Sequence, residues 1–161
     1  MKVAIITDQH FGARKSSRVF HDFFKKFYDN VFFPTLEKRG IDTVLDLGDT
    51  YDNRRALDLW SADWSKQNYF NKLKEMGVYI HALVGNHTAY FKDTNDINTL
   101  TGIVGEYDNI SIYDRATEVV IGGLPILFLP WINQQNKEES YAAIENSKSK
   151  VAMGHLELNG F

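Results

Sequence analysis

The sequence predicts an α/β fold, and three observations predict it. Short β-branched runs alternate with helix-length stretches through the first half of the chain, and each run stops abruptly at Gly, Asp, Asn or His. Shorter strand-like pieces around Gly122-Gly123 follow in the second half. Alternation of this kind gives a largely parallel sheet covered by helices, best read with helices on both faces. A length of 161 residues suits one domain with a sizeable apolar core.

The first strand is read over residues 2–7, Lys-Val-Ala-Ile-Ile-Thr, ending at Asp8. A polar loop runs through Arg14 to Ser17. Val19, Phe20, Phe23, Phe24, Phe27, Tyr28 and Val31 then recur at three- and four-residue steps, one apolar face of a helix assigned to the core. Ser16 or Ser17 is its candidate N-cap, Pro34 should kink or restart it, and Gly40 should end it. Residues 42–47 form the second strand, running into Gly48-Asp49. A second helix over about 56–76 offers Leu59, Trp60, Trp64, Phe70 and Leu73 to the core and closes at Gly77. Residues 78–84 are the third strand. After a polar stretch at 92–98, residues 110–113, 117–121 and 125–129 read as short strands, some antiparallel, which mixed sheets accommodate. Residues 133–150 hold one helix and its flanks, and Val151-Ala152-Met153 is the last strand, ending at Gly154-His155. There is no internal repeat, low-complexity tract or linker.

Composition narrows the chemistry. With 43% hydrophobic and 24% charged residues the chain is globular rather than disordered or fibrous. The absence of cysteine excludes disulfides and thiolate metal sites, so a metal must use oxygen and imidazole ligands, as manganese, iron, zinc or magnesium do. The N-terminal apolar run is too short for a signal peptide, and no segment reaches the roughly 20 apolar residues of a membrane span. A cytoplasmic location is the expectation. The net charge of −3 argues against broad coating of nucleic acid by this segment, although a phosphate-binding site needs only local basicity.

Strand after strand ends in candidate metal ligands: Asp8-Gln9-His10, Gly48-Asp49-Thr50-Tyr51-Asp52, Gly85-Asn86-His87 and Gly154-His155. Loops beyond the carboxyl ends of parallel strands gather at one edge of an open sheet, so these groups can converge. Asp8 and His10 can turn toward one ion, and the carboxylate of Asp49 can bridge two cations about 3.5–4 Å apart. Asn86 offers a neutral oxygen, and glycines at 48, 85 and 154 allow close backbone approach. Any one of these motifs alone is an ordinary turn; their joint occurrence, in this order and at strand ends, carries the reading.

In this pattern the chain resembles the calcineurin-like metallophosphoesterase superfamily, with its Asp-x-His, Gly-Asp-x-x-Asp, Gly-Asn-His and Gly-His motifs. TDQHFGARK at 7–15, LGDTYDNRRA at 47–56, HALVGNH at 81–87, LPWINQQN at 129–136 and GHLELNGF at 154–161 are most similar to SbcD-type double-strand-break repair nucleases, particularly their T-even phage branch. The resemblance implies a metallophosphoesterase fold of mixed β-sheets sandwiched between helices, and two divalent ions, manganese first and magnesium, iron or zinc as alternatives. Asp8, His10 and Asp49 would serve one ion, and Asp49, Asn86 and His155 the other. His87 would stand near the scissile phosphate as general acid or charge stabiliser. DNA and an SbcC-type ABC ATPase subunit are the implied partners. Homodimer pairing through the N-terminal helices is also implied, with the phenylalanine face from Phe20 to Phe33 as its candidate surface.

Two departures qualify the resemblance. Thr88 stands where the family usually has aspartate, and Asp52, read either as a turn carboxylate or as a hydrogen-bond partner that fixes the His87 tautomer, is the candidate replacement. The family's later Gly-His-x-His motif is missing, because the five histidines are at 10, 21, 81, 87 and 155; His21 and His81 are expected to be core or surface groups. Residues 1–161 are therefore expected to be the N-terminal part of an incomplete domain, without the capping and partner-binding regions, binding metal weakly and showing little nuclease activity. Arg14 and Arg54 are the candidate phosphate contacts, since a guanidinium matches phosphate oxygens. The expected function is metal-dependent hydrolysis of DNA by a recombination and repair nuclease. The alternatives are a phosphatase or cyclic-nucleotide phosphodiesterase, and a non-catalytic module lacking a complete metal site.

Overall fold

The computed structural model describes residues 1–157, so the last four residues of the GHLELNGF segment lie outside the described residues. Two sheets face each other. The first is fully parallel, in the order β1 (Ala4–Ile6), β2 (Thr43–Asp46), β3 (Tyr79–Leu83), β4 (Ile110–Tyr113). The second contains β5 (Thr117–Ile121), β6 (Leu124–Leu129) and β7 (Val151–Gly154), with β5 antiparallel and β7 parallel to β6. The fold is α/β, with one parallel and one mixed sheet, as the alternation of runs indicated.

Alternation along the strands sorts their side chains into two cores. Val44, Ile80, Ala82 and Val84 face the helices, joining Phe11, Tyr28, Phe33, Tyr69, Phe70 and Leu73. Leu45 and Leu83 face the second sheet, meeting Ile121, Ile126 and Phe128. The parallel sheet thus carries helices on one face and the second sheet on the other, which differs from helices on both faces of a single sheet. Gly122-Gly123 closes the β5–β6 hairpin with both residues at positive φ, a backbone conformation that favours glycine.

A single left-handed turn, α1 (Ala13–Ser16), leads into the phenylalanine-rich segment, which is helical from α2 (Arg18–Phe27) through a π turn at Tyr28–Phe32 into α3 (Phe33–Arg39). The widened turn immediately precedes Pro34, whose ring conflicts with the carbonyl of residue 30, so the helix restarts there. Gly40 ends it in the left-handed region. Ser17 holds the N-cap position without a side-chain capping bond. The expected core face divides in two. Of that face Tyr28 is buried and Phe24 half-buried, with the neighbouring Phe32 and Phe33 buried beside them, but Val19, Phe20, Phe23, Phe27 and Val31 are exposed, because the sheet covers only part of so wide an apolar surface.

The second helical region runs from α4 (Leu59–Ser65) through a π turn to α5 (Asn71–Glu75). Asp58 caps it by accepting from the Trp60 amide at 3.1 Å, which puts Leu59 in the first turn, 86% exposed rather than in the core. A helix α6 (Thr99–Val104), capped by Asn98 accepting from Thr101 N at 2.8 Å, occupies a stretch whose sequence showed no helical period. The late helix is shorter than its polar segment, α7 (Lys137–Asn146). Among the described residues no helix is long and apolar enough to cross a membrane.

Candidate metal centre

The turns after β1 and β2 run side by side. Asp8 N donates to Gly48 O at 3.0 Å, His10 N to Asp49 O at 2.9 Å and Phe11 N to Thr50 O at 2.8 Å. This ladder holds three side chains in the left-handed region: Asp8 at φ 53°, His10 at φ 50° and Asp49 at φ 51°. Such a conformation costs about 1–2 kcal/mol for each non-glycine residue, so the surrounding bonds must impose it.

Around Asp49 the five candidate ligands converge. His155 Nε2 lies 3.2 Å from Asp49 Oδ2 and 2.9 Å from Asn86 Oδ1. His10 Nε2 lies 3.6 Å from Asp8 Oδ1 and 4.0 Å from the same Asp49 Oδ2. The other oxygen, Asp49 Oδ1, accepts the His87 backbone N–H at 2.8 Å, which leaves Oδ2 to face both histidines. Donor atoms of Asp8, Asp49 and His155 form one cluster and those of His10, Asp49 and His87 a second, each within 4.8 Å. Asp8 thus groups with His155 as well as with His10, and His87 stands close enough to be a ligand.

Two glycines make this packing feasible. A Cβ on Gly48, itself at φ +107°, would approach His155 Nδ1 to 2.7 Å. A Cβ on Gly85 would collide with the Asp49 carboxylate and come within 2.6 Å of its backbone nitrogen. Thr88, in the place of the family's aspartate, is buried and closes this turn. Its hydroxyl donates to Gly85 O at 2.9 Å and accepts from Gly85 N at 2.8 Å.

The histidine tautomers follow from their partners. His155 Nδ1 is 3.0 Å from Leu47 O and His87 Nδ1 is 2.8 Å from Asp52 O; a carbonyl only accepts, so both Nδ1 atoms carry protons. Asp52 therefore meets His87 through its backbone carbonyl. Its carboxylate instead stands 3.2 Å from His10 Nδ1. His155 Nε2 faces oxygen acceptors alone. Burial opposes charging of that ring, yet the hydrogen bond and negative charge of Asp49 outweigh it and raise its pKa. Burial likewise opposes ionisation of Asp49, but hydrogen bonds from His155 and the His87 amide hold its pKa below the usual carboxylate value. The His155 Nε2, Asn86 Oδ1 and Asp49 Oδ2 atoms thus crowd together as an imidazole nitrogen among oxygens, a donor set that fits a divalent metal.

A recess of about 430 Å³ lined by Asp8, Gln9, His10, Arg14, Phe20 and Asp52 opens onto these ligands. Arg14 stacks on Phe20 with its guanidinium carbon 5.3 Å from the ring centre. Arg54 lies 4.8 Å over the Trp131 ring and reaches Phe91 O at 3.4 Å; it lines a separate recess with Arg55 and Tyr90. His21 is buried against Trp60 and Trp64, and His81 pairs with the Tyr113 hydroxyl at 2.7 Å, so neither belongs to the centre.

A family profile for calcineurin-like phosphoesterases matches residues 1–161. The chain belongs to the calcineurin-like phosphoesterase family. A relative, exonuclease subunit 1 of Enterobacteria phage T4, is 32% identical over 125 residues, which are 78% of this chain and 37% of that protein. The chain thus spans little more than a third of that relative's length. Among solved structures, the crystal structure of Pseudomonas putida nuclease MPE matches 80% of this chain and 60% of its own, with 15% identity and a TM-score of 0.46. Calcineurin-like phosphoesterases bind divalent metals, and the His and Asp clusters around Asp49 are this chain's candidate site.

Sequence reasoning missed Asp46, Gln9 and Thr50, which form a buried polar layer beneath the ligands. Asp46 shares its strand parity with Val44, and that parity was the available signal: it places the carboxylate on the helix-facing side of β2.

Proposed function

We propose that the chain carries the dinuclear phosphodiester-hydrolysing site of a DNA nuclease of recombination and repair. The observation that supports this most is the single oxygen, Asp49 Oδ2, standing between His10 Nε2 and His155 Nε2 while Oδ1 is held by the His87 amide. One ion would be held by Asp8, His10 and Asp49, the other by Asp49, Asn86 and His155, with manganese the first choice. A bound divalent pair supplies Lewis acidity, polarising phosphate oxygens and lowering the pKa of water.

The chain's own groups do the positioning. Because His87 Nδ1 donates to the Asp52 carbonyl, Nε2 is its free ring nitrogen, and in the imidazolium form that atom delivers a proton to the leaving alkoxide. Asp52 meets both histidines, orienting His87 through its carbonyl and setting its carboxylate beside His10 Nδ1. Arg14, at the mouth of the ligand recess, contacts a phosphate of the DNA backbone. Arg54, braced on Trp131, contacts the strand farther out. Residues 1–161 form the N-terminal part of the nuclease domain, and an SbcC-type ATPase subunit is the partner, both working in the cytoplasm. The exposed row of Phe20, Phe23, Phe27 and Val31 is the candidate surface for pairing two copies.

The DNA reading is supported by the phage relative named as an exonuclease subunit. With manganese, the protein in its natural full length should degrade duplex DNA and hydrolyse small phosphomonoesters poorly. The reverse preference would favour the phosphatase alternative, and inactivity on both despite two bound ions would favour the non-catalytic one.

A further inference from the structure

Beneath the ligand-bearing turns lies a fully buried carboxylate. Asp46 Oδ2 accepts from Gln9 Nε2 at 2.8 Å and from the Thr50 hydroxyl at 3.0 Å, and Oδ1 accepts from Gly48 N at 3.3 Å. The Tyr28 hydroxyl donates to Gln9 Oε1 in turn, so the amide is clamped at both ends. Gln9 sits between Asp8 and His10, and Thr50 follows Asp49. Each of those three neighbours is a candidate ligand held at positive φ.

A carboxylate placed here needs a reason. Burying an isolated charge costs several kcal/mol, and an apolar residue would fill this space on the helix-facing side of β2 at no such cost. Burial pushes the Asp46 carboxyl up to about 7 despite the three hydrogen bonds, so the network holds its charge at a disadvantage. What it provides is connection. Backbone bonds align the two turns as a ladder, but among the described residues only the Asp46 carboxylate joins the side chain between the first pair of candidate ligands to the residue after the shared one.

We propose that Asp46 is a positioning residue for the metal centre, with Gln9, Thr50 and Tyr28 as the clamp through which it fixes the spacing of the Asp8–His10 turn against Asp49. The proposal rests on the metal-site reading above and deepens it. Asparagine at 46 cannot reproduce the pattern, since three donors converge on two acceptor oxygens and an amide offers one.

The test uses two variants, Asp46→Asn and Thr50→Val, with Thr50→Ser as the conservative rescue and Leu73→Ala as a core truncation away from the network. Two readouts are taken on the 161-residue chain. In the metal-free protein, hydrogen exchange at the amides of Asp8, His10 and Gly48 should accelerate about tenfold or more, relative to the rest of the sheet, in Asp46→Asn and Thr50→Val only. Calorimetric titration with Mn²⁺ should show roughly 10–100-fold weaker binding in the same two variants, the range found when partners of metal ligands are removed. Thr50→Ser should stay near the parent, and Leu73→Ala should leave Mn²⁺ affinity unchanged. Parent-like exchange in both network variants overturns the proposal, as does a parent-like Mn²⁺ affinity while the parent binds two ions. If the parent binds no Mn²⁺, the metal reading fails by itself, and the exchange measurement still decides whether Asp46 fixes the turns.

Discussion

On the His155 side of Asp49 the donors are half-buried and in contact, at 2.9 and 3.2 Å; on the His10 side they stand 3.6 and 4.0 Å apart and more open to solvent. The Asp49 side chain is 4% exposed and that of His155 14%, against 27% for His10 and 53% for Asp8. Both sides share one oxygen, so ligand identity alone does not distinguish them. The difference is preorganisation. The less exposed side has Leu47 O, Asn86 and a glycine cradle to fix its ring, and ordering such groups in advance reduces what an ion must do on binding. The open side adjoins the recess where Arg14 lies, which suits it to exchange water and substrate.

Removing one imidazole at a time should break this comparison most visibly. His155→Ala should abolish the tighter Mn²⁺ event and cost more than the roughly 10–100-fold typical of outer partners. His10→Ala should weaken only the second event. Equal losses in a two-site titration would show that the two sides do not differ.

Gly48→Ala should come next. The added methyl meets the His155 ring, and φ +107° is a region that alanine avoids, so about 1–3 kcal/mol of stability should be lost on thermal or urea unfolding. The same substitution at Gly102, which has open space around its Cα, should leave the site intact.

The smallest effect is one of pH, and its sign differs between folding and binding. Asp46 keeps its proton to about 7 when folded but loses it near 3.8 when unfolded, so metal-free stability falls as pH rises through that window. His155 acts in the same direction: its raised pKa stabilises the fold below about 6.5 and that contribution disappears as pH passes the folded value. Asp49 opposes both only in acid, because its pKa is lowered. Melting temperatures of the metal-free chain should therefore decline from about pH 5 to pH 8, whereas Mn²⁺ affinity should rise as the His155 proton is released. A flat melting profile would mean that neither group is shifted as the structure indicates.

The convergence of the candidate ligands was legible in the sequence because a strand-end position and a short motif both constrain the same residue. Asp8, Asp49, Asn86 and His155 meet because parallel strands deliver their carboxyl ends to one rim. What joins those ligands was not legible. The turn pattern shows that Asp52 is near a histidine, but not that its carbonyl takes His87 and its carboxylate His10. The apolar spacing from Val19 to Val31 marks a helix without saying how much of that wide surface the sheet covers, so Phe23 and Phe27 emerge exposed. α6 escaped because its helical signal rests on one Asn98 cap and six residues containing a glycine, too few to establish a period.

Anomalous diffraction from Mn²⁺-soaked crystals tests the central claim most directly. Two peaks about 3.5–4 Å apart are expected on either side of Asp49 Oδ2, one toward His10 and one toward Asn86 and His155. Manganese bound elsewhere, or no ion against Asp49 at saturating concentration, would contradict the account.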